Sequence, residues 1–147
     1  EEGKADVLGL YMVTELHKAG ELGEVDIMDH YVTFMASIFR SIRFGASSAH
    51  GKANMVRFNF FKEKGAFVRD SETGTYRVDA ERMTEAMTEL SRVILTLQGD
   101  GNYEGATELT ETRGVIGEQL QADLDRLTRA GIPVDITFRQ GTTELGL

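Results

Sequence analysis

The chain of 147 residues contains no cysteine, no tryptophan and a single proline, Pro133. Without thiols there is no disulfide to staple the fold and no thiolate to bind a metal. With proline confined to the C-terminal end, glycine does the punctuating upstream of it. Basic residues are outnumbered: 16 Lys and Arg face 24 Asp and Glu, for a net charge of −8. Phosphate backbones are bound by clustered Lys and Arg, so this balance argues against a nucleic-acid partner. No apolar run approaches the roughly 20 residues of a membrane-spanning helix, and no secretory leader is recognisable; a cytoplasmic protein without a membrane partner is expected. The remaining composition, 41% hydrophobic and 27% charged, is that of an ordinary globular protein. Residues 1–147 are read as one domain able to bury its own core. The first residue is not Met and the chain opens inside a helical pattern, which predicts a segment excised from a longer polypeptide.

The fold class expected is mainly α, a helical domain with one small β-hairpin and a C-terminal strand. Residues 2–19 place Ala5, Leu8, Met12 and Leu16 at helical spacing, with Gly20 as the stop. A second helix over 25–44 carries Ile27, Tyr31, Phe34, Met35, Ile38, Phe39 and Ile42, more than one stripe, and is expected at the centre of the core. Ser47 or Ser48 caps a third helix through Lys64, with Ala53, Val56, Phe60 and Phe61 inward and Gly65 just beyond its end. Phe67–Arg69 and Thr75–Val78 flank a glycine-containing turn and read as a hairpin. Asp79 caps a fourth helix to about Leu97, turning Met83, Met87, Leu90 and Ile94 to one side. After the loop 99–102, helices follow over 103–113 and 115–130, the latter with Ile116, Leu120, Leu124 and Leu127. Val134–Phe138 reads as a strand, and the last eight residues as loose chain.

Chemistry concentrates at the start. In Glu1-Glu2-Gly3-Lys4-Ala5-Asp6, Glu2 and Asp6 stand four apart and share a helix face. A metal-ligating carboxylate followed one turn later by one that orients a ligating histidine fits this spacing; so does a solvated acidic first turn that suits the helix dipole. Glu1 borders the same face. His50 lies in a run of small residues from Gly45 to Ala53, which permits close approach of backbone or ligand, and near a helix start it can donate to a reacting oxygen. An ordinary packed or surface histidine is the plainer reading. His17 and His30 read as surface or satisfied structural residues. Spacings of 13 and 20 residues separate the three histidines, unlike His-x-x-x-His. The segment Gly45–Lys52 lacks the Ser or Thr that follows the lysine of a phosphate loop, and 99–102 lacks the ligand series of an EF-hand.

Three landmarks resemble the dipeptidyl peptidase III zinc metallopeptidases. Glu1-Glu2-Gly3-Lys4-Ala5-Asp6, followed by an apolar helix, is similar to that family's Glu-Glu-x-Arg-Ala-Glu/Asp signature. Ser48-Ala49-His50 opening a helix resembles its downstream histidine segment, and Gly101-Asn102-Tyr103-Glu104 resembles the stretch beyond its hairpin. The resemblance implies that Glu2 is the third protein ligand of a catalytic zinc. Asp6 and Glu1 would hold two histidine ligands, and His50 would stabilise bound substrate or the tetrahedral transition state. The activity implied is release of dipeptides from short peptides. Two departures stand out. The family's His-Glu zinc motif lies upstream of the signature and is absent here, and Asn54 stands where the family carries an arginine four residues after the histidine, with Arg57 one turn further on. Asn54 and Arg57 are therefore the expected substrate-binding positions. Lys4 replacing arginine is a third, milder difference.

These readings predict the C-terminal portion of the catalytic region of a zinc peptidase, inactive alone, that needs the upstream part of the same polypeptide to complete its metal site. The alternative expectation is a non-catalytic helical interaction or structural domain on the same scaffold; a hydrolase of another substrate is a third. If an upstream helical pair covers the first helix in the longer polypeptide, Val7, Leu10 and Tyr11 are exposed here and drive formation of a homodimer.

Overall fold

The computed structural model describes residues 1–136 and 138–146, and among these it contains seven helices and one two-stranded sheet. In chain order these are α1 (Glu2–Lys18), α2 (Ile27–Ile42), α3 (Ala49–Glu63), β1 (Phe67–Arg69), β2 (Tyr76–Val78), α4 (Ala80–Gly99), α5 (Tyr103–Arg113), α6 (Glu118–Arg129) and α7 (Thr142–Leu145). The mainly α class read from the sequence is the one observed.

The helix starts follow from short polar side chains that accept otherwise orphaned amide protons. Ser48 Oγ accepts from the amide of Gly51 at 3.1 Å, Asp79 Oδ1 from that of Arg82 at 3.0 Å and Asn102 Oδ1 from that of Gly105 at 2.8 Å. Asp26 caps α2 in the same way, accepting from Met28 at 2.9 Å. The hairpin is antiparallel, with Phe67 opposite Val78 and Arg69 opposite Tyr76. Its turn is built by Asp70, whose Oδ1 accepts from the amides of Glu72 and Thr73, and by Gly74, whose φ of +66° only glycine adopts without strain.

Packing departs from the expected picture in three places. α2 lies in the core as expected, with Tyr31, Met35, Ile38 and Ile42 buried, but α3 has more neighbours: its Met55, Val56, Phe58, Phe60 and Phe61 point in several directions and all are buried. It packs against α1, α2, α4, α5 and β1. On α1 the buried face is Val7, Leu10 and Thr14, while Met12 and Leu16 are exposed. Thr14 is accommodated because its hydroxyl meets the Leu10 carbonyl and the Tyr31 hydroxyl, both at 3.0 Å. Val7 and Leu10, expected to be uncovered, are sealed by this chain's own α3 and α4, and Tyr11 packs against the core half-buried. That face is therefore not available to drive a dimer.

The third departure concerns α6 and the segment beyond it. α6 starts at Glu118, not 115, because Asn59 donates to the carbonyls of Arg113 and Val115 at 2.8 and 2.9 Å and holds the linker in a non-helical path. The strand expected over 134–138 is not formed at 134–136 or 138; Thr137 lies outside the described residues. Arg43 takes the carbonyls of Ile132 and Pro133 at 2.6 and 2.8 Å, which ties the segment to α2. Within the loose C-terminal stretch, residues 142–145 form the short α7.

Candidate functional site

α1 and α3 bring their N-terminal ends together, and with them Glu2 and His50. Nδ1 of His50 lies 3.2 Å from Oε2 of Glu2, with 73% of the histidine side chain and 48% of the glutamate side chain open to solvent. Residues 48 apart in sequence thus form one accessible pair of a carboxylate and an imidazole. Small residues face each other where α1 and α3 meet: a Cβ at Gly3 would stand 3.7 Å from that of Ala53. A Cβ at Gly51 would run into the carbonyl oxygen of Gly45 and the Cα of Ala46, so glycine is required for α3 to start this close to the preceding turn. The space serves backbone packing.

Glu1 is engaged elsewhere. Its carboxylate pairs with Lys4 at 3.4 Å and accepts from Nε2 of Gln98 at 2.6 Å, while Lys4 donates to Oε1 of Gln98 at 2.8 Å. The Lys4 hydrogen bond and charge, with Gln98 adding to them, hold the Glu1 carboxyl below its ordinary value. This triangle fastens the start of α1 to the end of α4. Gln98 has no sequence signal, since nothing local marks a glutamine 94 residues from its lysine partner.

Asp6 stands one turn beyond Glu2, half-exposed, and is paired with Arg57. The guanidinium of Arg57 is buried, lies 5.4 Å from the centre of the Phe34 ring and also donates to Oδ1 of Asn54. Asn54 in turn donates to Oγ of Ser41 at 2.8 Å. Side chains from α1, α3 and α2 therefore form one line: Asp6, Arg57, Asn54, Ser41. Asn54 and Arg57, expected to meet substrate, are turned inward and only 7% and 4% exposed. The cause is Asp6, whose charge draws the arginine into the helix interface. His17 meets the Val25 carbonyl at 3.0 Å, as a structural histidine should. His30 is neither a surface nor a satisfied residue: its Nε2 is buried without a partner among the described residues.

An open groove of about 590 Å³ begins at Glu2. Glu1, Lys4 and Lys52 stand on its rim and Val56, Leu97 and Leu109 on its floor. Glu2 thus faces accessible space, as a ligand or substrate contact must. Among the described residues no group of three or more His, Asp or Glu side chains is placed to hold a metal. A catalytic zinc takes three protein donors, and the described residues bring no such set together. The residues present do not complete a zinc site.

A second cluster, away from this end, joins the hairpin to α6. Arg69 donates from Nε and from a terminal guanidinium nitrogen to the two oxygens of Asp123, at 2.8 and 2.9 Å, and Tyr76 donates its hydroxyl to Asp123 at 2.9 Å. Arg69 first, then Tyr76, holds the Asp123 carboxyl down to about 2. Burial, reinforced by Asp123, pushes the Tyr76 phenol up to about 12. These groups are all satisfied by one another, so the cluster is a clasp between elements.

No protein-family model matches the chain. Nudix hydrolase 3 of Arabidopsis thaliana is 42% identical over 137 residues, which is 93% of this chain and 18% of that protein. A solved structure of dipeptidyl peptidase III from Caldithrix abyssi superposes with a TM-score of 0.85 at 39% identity, covering 92% of this chain and 25% of that one. The dipeptidyl peptidase III of Corallococcus sp. strain EGB gives 0.83 at 36% identity, over 93% and 25%. The chain therefore spans a quarter of the length of these two structures and less than a fifth of the Nudix hydrolase. Over that length it has a dipeptidyl peptidase III-like fold.

Proposed function

We propose that this chain supplies one zinc-ligating carboxylate, Glu2, and one substrate-stabilising histidine, His50, to a peptidase resembling dipeptidyl peptidase III that hydrolyses short peptides. What supports this most is the meeting of Glu2 and His50 at the accessible ends of α1 and α3, 3.2 Å apart. The same fold in two dipeptidyl peptidase III structures adds to it. Zinc bound by Glu2 and two donors from a longer polypeptide would polarise a peptide carbonyl and activate water. His50, largely exposed, is free to donate to the oxygen on which charge develops. Asp6 remains within reach of solvent on its open side, so it can hold Arg57 and still orient a ligand of the metal.

The experiment is substitution in the longer polypeptide that carries the histidine donors. Glu2→Ala there is expected to abolish both zinc retention and peptide cleavage. His50→Ala is expected to keep the zinc and lower kcat by about 10²–10³, the usual effect of removing one transition-state donor. Full activity of Glu2→Ala would remove this residue from the ligand set.

The Nudix hydrolase relative favours a second reading, a helical module without catalytic function of its own. Nearly the whole of this chain is matched in a protein whose name states a different hydrolytic chemistry. A scaffold can persist where its activity has not. Under this reading the longer polypeptide binds no zinc and cleaves no peptide, while the Glu2–His50 pair stays intact.

A further inference from the structure

The groove of about 590 Å³ beside Glu2 lies within the size range of small-ligand sites. Ala49, Lys52, Ala53 and Val56 present one face of α3 to it, at helical spacing. α5 lies against α3 and α4 yet buries none of its own residues, so Leu97 of α4 and Leu109 of α5 stay half-buried in the groove lining. Four charged side chains border this apolar space. Glu1 is paired with Lys4 and Glu2 with His50. The Lys52 ammonium has no hydrogen bond or ion pair among the described residues, so one positive charge at the groove is uncommitted.

We propose that this groove takes the carboxyl-terminal end of a short peptide, with a bulky apolar side chain against Leu97 and Leu109 and the terminal carboxylate at Lys52. That this peptide is the substrate rests on the peptidase reading of Glu2 and His50. Two observations select the occupant. The groove is continuous with the candidate site, because Glu2 both borders it and pairs with His50. Two residues of extended peptide span about 7 Å, so a bond held at the pair leaves its last residues to enter the groove. Charge complementarity supplies the second: an apolar lining with one free ammonium matches an apolar side chain that ends in a carboxylate. An internal peptide segment brings no charge to Lys52.

Fluorescence titration of the peptide Ala-Ala-Ala-Trp with the chain tests this. The chain contains no tryptophan, so the indole emission belongs to the peptide alone. A saturable blue shift is expected as the ring leaves water. Amidation of the terminal carboxylate should weaken binding about three- to fivefold, the most that an exposed ion pair contributes. Lys52→Ala should weaken the acid by the same factor and leave the amide unchanged. Leu109→Lys places a charge on the apolar floor and should weaken both at least about tenfold, with helix content by circular dichroism unchanged. The absence of a saturable shift overturns the proposal, as does equal binding of acid and amide or indifference to Leu109→Lys. Displacement of the peptide by an equal concentration of octanoate also overturns it, because the occupant is then a fatty carboxylate. These titrations need neither zinc nor the longer polypeptide, so their failure is distinct from that of the peptidase reading, which Glu2→Ala tests.

Discussion

Arg57 is sealed by Phe34 and Asn54 while Asp6 stands half in water, so the two ends of their ion pair respond differently to removal. Deleting Asp6 strands a buried guanidinium without its counter-charge, the costly half of breaking such a pair. Asp6→Ala is expected to lose about 2–3 kcal/mol, somewhat under the 3–5 of a fully sealed pair because water reaches one side. Adding Arg57→Met to that variant removes the stranded charge and should lose nothing more, or regain stability. Urea denaturation of both variants checks this coupling. Purely additive losses would show that the two side chains do not depend on each other. The same inward turn explains why Asn54 is tolerated where an arginine is usual in the family this chain resembles. A second guanidinium beside Arg57 would be a buried like charge.

The hairpin and α6 are joined by side chains rather than by a shared sheet. Asp123 receives Arg69 and Tyr76, and Arg126 donates to the carbonyl of Gly74 at 2.6 Å. Because the folded Asp123 carboxyl titrates at about 2, below its ordinary 3.8, its contribution is complete above the ordinary value and is lost as pH falls through about 2. A shift of this size corresponds to about 2 kcal/mol. Asp123→Asn is therefore expected to lose roughly that much at neutral pH. Between pH 4 and 2 the parent should lose stability steadily while the variant changes less. Thermal melts across that range, reading the tyrosine environment, provide the measurement. Parallel pH profiles would show that the clasp does not stabilise the folded state.

For the molecule as a whole, one core is buried among the described residues: Val7, Leu10, Tyr31, Met55 and Leu90 come from four helices and are all buried. The candidate site joins Glu2 to His50, and no cluster of three potential metal donors forms among the described residues. In small zinc domains, by contrast, the ion supplies the folding energy. A chelator is expected to leave the Tm of this chain unchanged, and added zinc to raise it little, because a ligand stabilises only in proportion to its affinity. A large zinc-dependent rise in Tm would show a complete site that the geometry does not contain. No helix among the described residues is long and apolar enough to cross a membrane.

Much of the fold was legible in local signals. The caps at Ser48 and Asp79, the stop at Gly20 and the period change at the hairpin act through neighbours a few residues away, and all are where the sequence places them. That Glu2 and Asp6 stand one turn apart on the same helix was legible for the same reason. Which face of α1 is buried was not, because Thr14 finds its hydroxyl partner on α2 and reads as polar until that contact exists. The direction taken by Arg57, the tether from Gln98 and the start of α6 at Glu118 share this character. Helical periodicity and capping are written in adjacent residues; the destination of a buried charge is chosen only when distant helices pack and bring its counter-charge to it.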